Sequence, residues 1–92
     1  MDNVTLINKR VDVVVVFKKA GDIVTLCYPT KMKYAGQNVV FTELGLRHST
    51  SKGKRMVHVF DMSDGTHDYR LEFDAEGLTW TLVSMLGGDY GL

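Results

Sequence analysis

The chain has 92 residues, 45% of them hydrophobic and 24% charged, with one Pro and one Cys. That is the composition of one folded domain, and it excludes a disordered or proline-rich segment and a scaffold stapled by internal disulfides. The net charge is zero but lopsided: residues 1–58 hold ten Lys/Arg against four acids, and residues 59–92 hold Arg70 against seven acids. A half of +6 therefore precedes a half of −6.

The first ten residues, MDNVTLINKR, place an acid at Asp2 and lack an apolar block behind a basic patch, so they are not read as a secretory signal. No apolar run approaches the roughly 18–20 residues that cross a bilayer as a helix. With Cys27 as the lone thiol, in the apolar run IVTLCY, a reducing cytoplasmic setting and no membrane partner are expected. Cys27 is read as a structural thiol, not a nucleophile.

Segments rich in β-branched and aromatic residues then follow one another: 11–18, 23–34, 38–47, 54–62, 68–73 and 78–86. Four consecutive valines, Val13–Val16, disfavour a helix because branching at Cβ restricts χ1 against the preceding turn. Val11, Val13, Val15 and Phe17 make one stripe, while Val14 and Val16 leave the other face apolar, to be covered by the N-terminal VTLI or by a contact. Pro29 places the second strand at an edge or a kink. Gly45 weakens the third, where Thr42–Leu46 forms a helical turn capped by Thr42 as the alternative. Late in the chain Tyr69, Leu71 and Phe73 alternate with Asp68, Arg70 and Glu72, and Leu78, Trp80 and Leu82 alternate with Thr79 and Thr81. Those strands bury one face and wet the other.

Glycines at 21, 36, 53, 65 and 77 punctuate the strands in KAGD, YAGQ, SKGK, SDGT and AEGL. Asp64-Gly65 is the pattern of a two-residue hairpin loop. In Lys18–Gly21 and Asp74–Gly77 the glycine comes last, as in a three-residue loop closed by a left-handed residue. The fold class is thus all-β, a six-stranded antiparallel meander in a closed or half-open barrel over residues 1–86. Gly87–Leu92, with three glycines, reads as a flexible tail. Phe17-x-x-x-Gly21-x-Ile23, then YAGQ, DYRLEFD (68–74) and LTW (78–80), resembles uncharacterised families of small bacterial β-barrel proteins across about residues 11–82. The resemblance implies a fold and no activity.

Arg47-His48-Ser49-Thr50-Ser51-Lys52-Gly53-Lys54-Arg55 joins four cations, a His, three hydroxyls and a Gly. Such residues neutralise and hydrogen-bond phosphates, although the spacing of a phosphate-binding Walker loop is absent. Its ordinary alternative is a solvated hairpin loop. Tyr28 and Tyr34 flank Lys31 and Lys33; they either form a stacking platform for single-stranded bases or pack inward with their hydroxyls at the rim. The leading expectation is a non-catalytic module presenting Lys31, Lys33, Tyr34, Arg47, His48, Lys52, Lys54 and Arg55 to nucleic acid or another polyanion. The alternative is a structural or protein-interaction domain, including a homodimer held by its two oppositely charged halves. A third is a small enzyme, which requires a pocket gathering at least two of Asp61, His58 and His67. His48, His58 and His67, even with Cys27 or Asp61, lack the close spacing of zinc ligands, so neither metal nor cofactor is expected. Asp61, Asp64, Asp68, Glu72 and Asp74 are candidate acid–base groups, with a solvated polar face as their ordinary explanation.

Overall fold

The valine run belongs to a strand of seventeen residues, β1 (Val4–Ala20), in a computed structural model that describes residues 4–20 and 24–87. Six more strands follow: β2 (Val24–Tyr34), β3 (Gln37–Val40), β4 (Glu43–Lys52), β5 (Arg55–Ser63), β6 (Asp68–Asp74) and β7 (Thr79–Leu86). They form one antiparallel sheet in the order β3-β2-β1-β7-β6-β5-β4. The sheet is not closed by hydrogen bonds, so a closed barrel does not form and β3 and β4 remain edges. No helix among the described residues is long and apolar enough to cross a membrane.

β1 gives the sheet its shape by serving two partners in succession. Val4–Val11 pair with β7, and Asp12–Ala20 pair with β2. One bulge interrupts the first half around Ile7 and Asn8, where Asn8 takes φ 52°, a left-handed conformation that Asn tolerates better than most residues. A second bulge lies between Val14 and Val15, opposite Pro29. Pro29 lacks an N–H and lies where β2 has β1 on one side and no ladder partner on the other among the described residues. VTLI therefore continues the first strand and does not cover its second face: Val14 stays 52% exposed.

The six expected strands become seven because NVVFTELGLR divides at Phe41–Thr42. Phe41 donates its N–H to the Thr30 carbonyl at 2.9 Å, and Thr42 donates to the Ser63 carbonyl at 2.7 Å. These two residues thus tie β2 to β5, and Glu43–Leu46 runs as strand, not as a helical turn. Beneath them Met32, Phe41, Phe60, Met62, Tyr69, Leu71, Trp80 and Leu82 make the core, with Val11, Val13 and Val15 packed on it. Phe17 continues that stripe past the core and is 67% exposed.

The turns obey the local chemistry only in part. Tyr34 pairs with Gln37 across Ala35 (φ 52°) and Gly36 (φ 78°), the two left-handed residues of a type I′ turn. Ala carries a steric cost there that Asn largely avoids. Ala35→Asn is therefore expected to stabilise the fold by about 0.5–1 kcal/mol, read as a raised denaturation midpoint at constant slope. Lys52 pairs with Arg55 across a two-residue turn, so most of the supposed 47–55 loop is strand β4. Asp64-Gly65 does not make a two-residue loop: Ser63 pairs with Asp68, and four residues intervene. The last hairpin also has four, between Asp74 and Thr79, and its left-handed residue is Leu78 (φ 55°), not Gly77. Gly21, and all of the tail but Gly87, lie outside the described residues.

Candidate binding cleft

The candidate cations are distributed over β2, β4, β5 and the turn between the last two. Lys31 and Lys33 are exposed on β2, opposite Val14 and Asp12 of β1 and Val40 and Asn38 of β3. Tyr34 is half-buried and packs on the core, as Tyr28 does. Lys52 ends β4 and Arg55 begins β5, and both are engaged: Lys52 Nζ lies 2.9 Å from Glu72 Oε1, and Arg55 lies 3.1 Å from Asp74 and 3.6 Å from Glu76. His48 and Lys54 are exposed.

Those ion pairs show where the +6 and −6 halves meet. They pair within one molecule, Lys52 across β5 and Arg55 from β5 to Asp74 on β6 and Glu76 just beyond it. Val57 is opposite Thr50 on β4 and Asp74 on β6, so the diagonal from Lys52 to Glu72 passes over its position. Val57 and Val59 are 6% and 4% exposed although they point away from the core cluster. Long charged side chains lying over them account for that burial. Arg70 likewise donates from Nε and Nη2 to Asp61 Oδ1 and Oδ2 at 2.8 and 2.9 Å, which holds the guanidinium's pKa above its ordinary value.

Described residues line two clefts in the surface. The larger, about 540 Å³, lies over the Asp61–Arg70 pair, between Val4, Leu46 and Leu86. Its cation is already satisfied by Asp61. Of Asp61, His58 and His67, two of which the enzyme alternative needs in one pocket, Asp61 alone lines this cleft; His58 packs beside Phe73 and His67 beside Tyr69. No cluster of three potential metal ligands occurs among the described residues.

The smaller cleft, about 260 Å³, separates β2 from β4 and is lined by Cys27, Tyr28, Phe41, Leu44, Arg47 and Met62, among others. A bulge at Gly45 arranges its β4 wall. Leu44 pairs with Met62 and Leu46 with Asp61, so the extra residue sends the two leucines to opposite faces. A Cβ on Gly45 would lie 3.3 Å from the Asp61 carbonyl oxygen, tighter than ordinary contact. Arg47 is opposite Phe60, and its guanidinium carbon sits 5.8 Å from that ring's centroid, a cation–π contact. No carboxylate among the described residues forms an ion pair with it. Burial pushes the Cys27 thiol up, with Arg47 pulling the other way, so the group stays a neutral thiol.

Sequence reasoning groups Arg47 with the basic loop, sets Tyr28 near it, and misses Leu44 and Phe41 as its cleft partners. The one local signal is Gly45 between two leucines, a mark of a strand bulge. Comparison with family models, with curated proteins and with solved structures finds no match.

Proposed function

We propose that this chain is a non-catalytic protein-interaction module, a small half-open barrel that takes up an extended segment of another protein along β4. The observation that carries it is the edge itself: ten residues, nine of them exposed, with no strand among the described residues on the outer side. Proteins usually blunt such an edge with Pro, Lys or a bulge, because its free N–H and C=O groups invite another strand. Here the bulge at Gly45 and Lys52 fall near the ends, and within Leu46–Ser51 the one charged residue is Arg47, set over Phe60. An added strand would gain main-chain hydrogen bonds there, with specificity from alternate side chains.

Short random peptides displayed against the full chain test this. Selected binders are expected to slow amide exchange of residues 43–52 and to leave β6 unchanged; binders that protect none of β4 would reject strand addition. The polyanion alternative is weaker because Lys52 and Arg55 are held by acids of the same molecule. A single-stranded oligonucleotide that binds at low salt, with no peptide selected, would restore it. Concentration-dependent protection of β4 in the protein alone would instead identify a second copy as the occupant.

A further inference from the structure

The cleft between β2 and β4 is closed at one end. Phe41 bonds to Thr30 on β2, Thr42 bonds to Ser63 on β5, and β4 begins immediately after them. β2 and β4 run antiparallel around the sheet, so β4 leads away from this apex toward Lys52. A polypeptide laid along β4 cannot continue through the apex. It must turn out or end. Ending suits the chemistry present, since the apex pocket offers Tyr28, Phe41, Leu44 and Met62 to one apolar side chain. Arg47, over Phe60 and in no ion pair among the described residues, offers a positive charge beside them; Glu43 lines the same cleft without pairing to it.

We infer that the β2–β4 cleft recognises the free carboxyl terminus of a partner protein, with the terminal carboxylate on Arg47 and an apolar last side chain in the pocket. This rests on strand addition along β4 and specifies what it selects. An internal segment would supply no carboxylate at its end, and an N-terminal amine would place a cation against Arg47. Arg suits the role because its planar fork matches a carboxylate bidentately. The apolar walls lower the local dielectric and strengthen that bond.

The test uses peptides selected on the full chain from a library with free carboxyl termini, each resynthesised as the acid and as the C-terminal amide. The acid is expected to bind at least about tenfold more tightly, the loss typical of one charge-assisted hydrogen-bonded pair. Arg47→Met should erase the difference, and Arg47→Lys should keep part of it. The denaturation midpoint of each variant confirms that it folds. Peptides that protect β4 yet bind equally as acid and amide, or that keep their preference in Arg47→Met, overturn the carboxylate assignment and leave strand addition standing. If no peptide binds, both fall.

Discussion

Leu71→Ala should cost about 3–4 kcal/mol of folding stability, the upper part of the range for a buried leucine. Leu71 is fully buried on β6, opposite Phe60 of β5 on one side and Leu82 of β7 on the other. Strands paired on both flanks cannot move in to fill the space, so the cavity term stays nearly whole. A domain of this size is typically stable by only about 5–15 kcal/mol, so the loss removes a large share of the total. Urea unfolding would show a lower midpoint with an unchanged slope, and thermal unfolding a drop of about 4–8 °C per kcal/mol. Leu78→Ala is the control: Leu78 is 75% exposed in the last hairpin, and its change should stay within about 0.5 kcal/mol. Equal losses at the two sites would mean that the core does not centre on β6.

The pattern that locates Leu71 is legible in the chain, whereas the pattern that locates the cleft is not. Alternation over Asp68–Phe73 names Tyr69 and Leu71 as buried and puts Asp68 and Arg70 outside, because each strand is paired on both sides and buries one face. The same rule misplaces Leu78, whose left-handed backbone ends the loop before β7 starts. It also reads NVVFTELGLR as continuous, since no Gly or Pro stands where Phe41 leaves β2 for the Ser63 side. That break is set by two backbone hydrogen bonds to residues 11 and 21 positions away, and local patterning carries no trace of them. Charge fares likewise. The excess of cations before residue 58 is visible in the sequence, but the acids that partner Lys52 and Arg55 are set by the β5–β6 register, which local patterning does not show.

Asp64→Ala should cost about 2–3 kcal/mol, although the residue lies in a loop at the surface. One carboxylate organises the β5–β6 connection: Oδ1 accepts from the Thr66 and His67 N–H groups at 2.8 and 2.7 Å, and Oδ2 accepts from the Tyr69 hydroxyl at 2.9 Å. Tyr69 is 6% exposed, so the alanine variant leaves a polar group without its partner at the rim of the core. Burial by itself would raise the Asp64 pKa, but the three donors outweigh it and hold the carboxyl below its ordinary range. The same contact and burial raise the Tyr69 pKa, so the phenol remains a donor throughout the neutral range. A depressed carboxyl pKa means that the unfolded chain binds its proton first. The contribution is therefore whole above the unfolded value of about 4 and fades as pH falls through the lower folded value. Stability of the native protein should thus fall below about pH 4 by more than that of Asp64→Asn, which has no proton to take up. Tyr69→Phe should cost about 1 kcal/mol, and the double variant less than the sum, because the two residues share one hydrogen bond. Parallel acid-limb curves for wild type and Asp64→Asn would remove Asp64 as the source of the acid sensitivity and return the loop's order to its backbone bond from Asp64 to His67.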